Sequence, residues 1–403
     1  MGKHEAGSGS VRRPAQVIVG STLRSSPQTV RTTGEHQQGE SHTDHAARAI
    51  RWISAILGLS QGTTGRLTDN CVDAHLLGLA CARHRMLNGH AEGVIYCSEG
   101  GDSAFEGIVR RLGFGENSLH RIPSLDGRID VFSMVRTVRR DRAAGLCPFL
   151  VVASAGAEDT GLVDNLVLIS QLCKSEGLWL HVDGSFGGCN SMTASGQKLI
   201  RGLAHADSLT LNLQWPFFQS QPLGCLLLCD SDGLDDTLRL PLHASAADRE
   251  TPGSASCMKA RSLWTALQSL GADAFRREME RRMRLADLAE AEIRKQARWQ
   301  IVTRSQLGVV TFRLKPPGIA ELDADELQVI LASAARRKGF SWLQAVRVKG
   351  RMALRLSAAQ ADVSEPSMRV TLEWLFRQSS KLDSAPGGPS RMRREDFEAA
   401  DTI

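Results

Sequence analysis

The strongest constraint on the fold is a run of short apolar segments, each separated from the next by a stretch with helical periodicity. Segments near 93–97, 149–153, 178–183, 208–212 and 224–229 read as strands, and those near 72–85, 103–112, 131–143, 164–175 and 194–203 as helices. Strands alternating with helices imply right-handed crossovers and a mostly parallel sheet covered on both faces. Ligands of such sheets gather at the carboxyl ends of the strands. Two strand ends stand out there: His181-Val182-Asp183-Gly184-Ser185-Phe186-Gly187-Gly188, and Asp207-Ser208-Leu209-Thr210-Leu211-Asn212-Leu213-Gln214-Trp215.

An acid at the end of one apolar strand, with a second strand a helix-length later, is the layout of a pyridoxal phosphate (PLP) site. In such a site the carboxylate keeps the pyridinium nitrogen protonated, and a lysine from the next strand forms a Schiff base. The carboxylate is present as Asp183; the lysine is missing. The chain resembles the group II PLP-dependent decarboxylases of the aromatic-amino-acid and glutamate type. Their motifs read roughly His-Val-Asp-Ala-Ala-Tyr-Gly-Gly and Asp-Ser-x-x-x-Asn-x-His-Lys-Trp. Laid on this chain without gaps, the family lysine falls on Trp215, and with a one-residue deletion on Gln214. Gly65-Arg66-Leu67-Thr68 with Asp73-Ala74-His75-Leu76-Leu77 resembles the family's phosphate-binding turn and following helix. Val151-Val152-Ala153-Ser154-Ala155-Gly156 resembles the strand beneath the cofactor, and Leu354-Arg355-Leu356 the last strand.

The resemblance covers residues 44–378 and implies a fold type I PLP-transferase-like α/β architecture. A large domain is expected over 44–256, and a long helix with a small C-terminal α/β domain over 257–378, with strands near 299–304, 308–314 and 351–357. The family's cofactor positions fall on Asp183, His181, Thr68, Asp102 and Ala157, of which Asp183 and His181 keep the family residue. Asp102 stands in place of a stacking histidine and Ala157 in place of a threonine. Where the family has Ser-Gly-Gly-Ser/Thr, this chain has Asp69-Asn70-Cys71-Val72, which loses close backbone approach and sets a carboxylate beside the phosphate dianion. The only tyrosine, Tyr96, lies in a strand, so the family's mobile-loop tyrosine is also missing. The Trp215 indole is expected to fill the space of the pyridoxal ring. Lys259 is the one lysine placed to substitute for the lost one.

No catalytic residue, cofactor or metal is therefore expected, with PLP the cofactor if the family activity is retained. The leading reading is a non-catalytic subunit or binding partner, as a homodimer or as a heterodimer with an active decarboxylase paralogue. One alternative is a PLP-dependent carboxy-lyase acting on an amino acid in an altered pocket. Another is a PLP-independent enzyme using His181, Asp183 and Asp102 for acid–base work.

Composition narrows the partners. A formal charge of +5 over 403 residues does not argue for nucleic acid, and no run reaches the roughly 18 apolar residues of a membrane span. The start, Met1 to Ser10, lacks the apolar core of a secretory signal. Nine cysteines are scattered singly without Cys-x-x-Cys spacing, which favours reduced thiols and a cytoplasmic location. Residues 1–43 read as a disordered or loosely attached arm in place of the family's longer N-terminal lobe, and 379–403 as a disordered tail. Thr43 is expected to cap the first helix, and the charged helix near 257–297 to present a solvated face.

Overall fold

The structure, a computed structural model, describes residues 42–88, 90, 92–100, 104–230, 232, 235–238, 255–315, 320–359 and 363–381. Asp102, nearly all of the expected arm and most of the expected tail lie outside the described residues. The first part of the chain carries strands β1 (Thr64–Thr68), β2 (Val94–Ser98), β3 (Leu119–Ile122), β4 (Ser124–Leu125), β5 (Arg128–Ile129), β6 (Pro148–Ser154), β7 (Trp179–Gly184), β8 (Ser208–Asn212) and β9 (Gly224–Leu228). Its helices are α1 (His42–Ile56), α2 (Cys71–Leu87), α3 (Ala104–Arg111), α4 (Val131–Ala143), α5 (Leu166–Glu176), α6 (Ala194–Leu199) and α7 (Asp235–Leu238). Then come α8 (Ala255–Arg294), β10 (Trp299–Gln306), β11 (Val309–Leu314), α9 (Glu321–Arg337), β12 (Leu343–Val348), β13 (Arg351–Ser357) and α10 (Glu365–Lys381).

Seven strands form one sheet in the order β1-β9-β8-β7-β6-β2-β3. The five from β8 to β3 run parallel, whereas β9 joins β8, and β1 joins β9, antiparallel. Successive side chains of a strand point to opposite faces, so a strand covered on both sides feeds two cores. In β6, Val151 and Ala153 enter one apolar cluster while Leu150 and Val152 enter the other. Helices start where local chemistry satisfies their first N–H groups: Asn165 Oδ1 accepts from Leu168 N–H, and Asp130 Oδ1 accepts from Phe132 N–H. Gly177, at φ +61°, closes α5 in the left-handed region that glycine adopts without strain.

A second, antiparallel sheet in the order β10-β11-β13-β12 packs with α8, α9 and α10 around its own apolar cluster. Both sheets belong to one compact unit that begins at Ser41. Two expectations need correction. Thr43 lies inside α1, which begins at His42. The long helix is interrupted at Gly271, whose φ of 72° and ψ of 168° are not helical, so it divides into two segments.

Candidate ligand-binding cleft

A cavity of about 1130 Å³ opens at the carboxyl ends of β6, β7 and β8, and the β12–β13 turn forms its opposite wall. Asp183 lines it. His181 does not, because it lies two residues earlier on the same face of β7, fully buried beneath α2. Parallel pairing sets Ser208 beside His181 and Thr210 beside Asp183, which builds a polar row under the helix.

That row is continuous. The indole Nε1–H of Trp179 donates to Ser208 Oγ at 2.8 Å, and Ser208 Oγ lies 2.7 Å from His181 Nδ1. His181 Nε2 lies 2.9 Å from Nδ1 of His75, which descends from α2. His75 Nε2 in turn reaches Ser185 Oγ at 3.1 Å and Asp183 Oδ1 at 3.4 Å. Asp183 Oδ1 also accepts the Ser185 backbone N–H at 2.9 Å. Room for the His181 ring exists because residue 78 is glycine: a Cβ there would stand 2.7 Å from His181 Cε1. Burial, reinforced by the neighbouring His75, pushes His181 down to about 3. Burial also opposes ionisation of Asp183, but His75 and the Ser185 donors outweigh it and hold the carboxyl below the usual carboxylate range. Burial pushes the Cys71 thiol at the cleft up to about 11, so it is not a ready nucleophile.

The turn before α2 uses its polar groups internally. Thr68 Oγ1 donates to the Asn70 carbonyl at 2.8 Å, and Asn70 Oδ1 accepts the Asp73 N–H at 3.0 Å. Asp69 is turned toward Lys259, whose Nζ lies 2.6 Å from Asp69 Oδ1. The expected repulsion from Asp69 is thus corrected, since this carboxylate is paired and is absent from the cleft lining. Lys259 itself is not among the residues lining the cleft. Ala157 does line the cleft, where its backbone closes a turn by donating to the Leu162 carbonyl at 2.8 Å.

Trp215 is also corrected. Its side chain is 43% exposed at the cleft lining and leaves the cavity open. The inward position belongs to Phe217, fully buried with its ring 5.0 Å from that of Phe275. Gln214, half-buried, donates its backbone N–H to Asn212 Oδ1 at 2.9 Å. Sequence reasoning did not place Arg282, Arg355 and Lys349, nor Arg347, at the cleft. Arg282 on α8 is buried and donates to the Trp215 carbonyl at 3.0 Å and to Glu278 Oε1 at 2.8 Å. Arg355 on β13 is 7% exposed; its Nη1 donates to Gln344 Oε1 at 3.1 Å and to Glu158 Oε1 at 3.4 Å, its Nε has no hydrogen-bond partner, and its guanidinium lies 5.9 Å from the Phe186 ring centre. Lys349, in the β12–β13 turn, pairs with Asp126 Oδ1 at 2.8 Å. The available signal was a charged residue between leucines, as in Leu354-Arg355-Leu356.

These residues do not fit PLP in its covalent role. Among the described residues lining the cleft, Lys349 is the only lysine; it is ion-paired and lies in the turn facing the sheet rather than at the end of β8. No helix among the described residues is long and apolar enough to cross a membrane. No group of three or more metal-binding side chains occurs among them either.

A mostly parallel sheet with a cleft at its strand ends and an aspartate at the end of a central strand matches the architecture of PLP-dependent enzymes. The chain belongs to the pyridoxal-dependent decarboxylase family, whose conserved-domain model matches residues 43–315. It is 31% identical over 333 residues to an aromatic-L-amino-acid decarboxylase of Bacillus atrophaeus, covering 79% of this chain and 69% of that protein. It is 21% identical over 368 residues to an L-2,4-diaminobutyrate decarboxylase of Acinetobacter baumannii, covering 83% and 72%. The crystal structure of Oryza sativa TDC with PLP and tryptamine shares the fold at a TM-score of 0.75 and 20% identity, covering 84% of this chain and 76% of that one.

Proposed function

We propose that this chain is a decarboxylase homologue that forms no Schiff base and serves as a non-catalytic binding subunit, with its cleft retained for a non-covalently held small ligand. The observation that carries this reading is the end of β8, where Asn212, Gln214 and Trp215 stand and no amine is available. Lys259 and Lys349 are both engaged with carboxylates elsewhere. The open cavity supports a ligand in place of a filled pocket. Buried Arg355, whose carboxylate neighbour Glu158 lies 3.4 Å away with a largely exposed side chain, supports an anionic group on that ligand taking the place of Glu158. Assembly as a homodimer or with an active paralogue belongs to the same reading, and nine free cysteines support a reducing, cytoplasmic setting.

The test is chemical. Incubated with excess PLP and reduced with borohydride, the protein is expected to carry no stoichiometric phosphopyridoxyl group on any lysine of residues 42–381, as read by peptide mass mapping. Stoichiometric label at Lys259 or Lys349 would overturn the proposal and restore the lyase reading.

A further inference from the structure

His75 is buried, yet its Nε2 faces the cleft carboxylate, and the polar row behind it has a direction. The Trp179 indole can only donate, so Ser208 Oγ is an acceptor at the inner end. The Ser208 proton then points at His181 Nδ1, 2.7 Å away. His181 consequently carries its proton on Nε2 and gives it to His75 Nδ1 at 2.9 Å, with Thr210 Oγ1 at 3.4 Å taking the weaker branch. His75 must therefore hold a proton on Nε2, directed at Asp183 Oδ1 and Ser185 Oγ. The opposite polarity would aim two N–H groups at Ser208 Oγ and leave its buried hydroxyl proton without an acceptor in this row, at a cost of roughly 1–3 kcal/mol.

We infer that His75 tunes what the cleft admits: its Nε2–H and the Ser185 N–H both face Asp183 Oδ1, so only Oδ2 is left for a protonated ring nitrogen and the preference of the cleft for pyridinium-bearing ligands is weakened. The His75 ring is held against the Phe105 ring, 4.8 Å between centres, and against His181, so it cannot swing aside without breaking the row. Gly78 is the space that lets the row close. This deepens the proposed reading, in which any pyridine ring would be held by non-covalent contacts alone. The two fail separately, because borohydride reads lysine condensation and the following experiment reads equilibrium binding.

Binding of PLP is compared with binding of its 1-deaza analogue, in which the ring nitrogen is replaced by C–H, by quenching of tryptophan fluorescence; Trp215 lines the cleft. The wild-type protein is expected to favour PLP over the analogue by no more than about threefold. His75→Ala, which frees Asp183, is expected to favour PLP over the analogue by at least about tenfold, the worth of one charge-assisted hydrogen bond. A tenfold preference in the wild type, or none in His75→Ala, overturns the inference. A second measurement requires no variant: nitrogen NMR of histidine-labelled wild-type protein should find both His75 and His181 protonated on Nε2. A His75 proton carried only on Nδ1 overturns the inference as well.

Discussion

Gly187→Ala is expected to lower folding stability by about 3 kcal/mol, at the upper end of what overpacking costs. The added Cβ would stand 2.1 Å from the Ala155 carbonyl oxygen and 2.5 Å from Leu307 Cδ1. The backbone at Gly187 has φ −100°, open to any residue, so the penalty is collision and not conformational strain. Backbone has to move to relieve it, and the movement has no free direction. Ala155 donates its N–H to the Asp183 carbonyl at 2.7 Å, and Leu307 forms the β10–β11 turn that packs onto this loop. A lower urea midpoint at unchanged slope is the readout. Gly107→Ala in α3 is the control: its Cβ meets open space, and glycine is the poorer helix former, so a gain of roughly 0.5–1 kcal/mol is expected. If the two variants share a midpoint, the strand ends are not packed as described.

The central strands were legible in the sequence because burial on both faces keeps each of them rich in apolar residues between helical stretches, even where a buried His181, Ser208 or Thr210 interrupts the run. Ser208–Asn212 is found at its expected bounds, and Pro148–Ser154 extends the expected run by only one residue at each end. Of the edge strands, β10 was legible but β1, β3 and β12 were not. Strand β1, Thr-Gly-Arg-Leu-Thr, has one side half in solvent, and β3, Leu-His-Arg-Ile, and β12 at the rim of the second sheet share that mixed composition. No apolar run announces them, and each is defined by the strand it pairs with. The same distinction holds in the cleft. Asp183 follows from one strand and its end, whereas His75, Arg282 and Arg355 arrive from α2, α8 and β13, and only tertiary packing brings them to the cleft. The expectation for Trp215 failed for a related reason: past the end of a strand, side-chain direction depends on what the turn packs against. Here Leu213 and Phe217 take the buried positions and leave the indole between them at the mouth.

Acid is expected to destabilise the protein through His181, with a sign fixed by its burial. The unfolded histidine titrates near 6.5, whereas the folded one is pushed down to about 3. Below pH 6.5 the unfolded chain takes up a proton that the folded chain refuses, so the stability present at neutral pH falls as pH drops toward 3. The slope is about 1.4 kcal/mol per pH unit, or about 3 kcal/mol lost by pH 4.5. Asp183 has the same sign, because its folded carboxyl is held low; its contribution is lost below its unfolded value of 3.8, beneath most of that window. Asp164 and Asp207, whose carboxyls burial pushes up, act in the opposite direction. Comparison with His181→Gln removes these shared terms, since the variant keeps all three carboxylates and an amide able to bond Ser208 and His75. The wild type should be the more stable protein at pH 7.5, and its advantage should shrink by about 3 kcal/mol between pH 7.5 and 4.5 in urea titrations. Parallel stability curves for the two proteins would mean that His181 takes up its proton in the folded state as readily as in the unfolded one, and that the polar row beneath α2 is open to water.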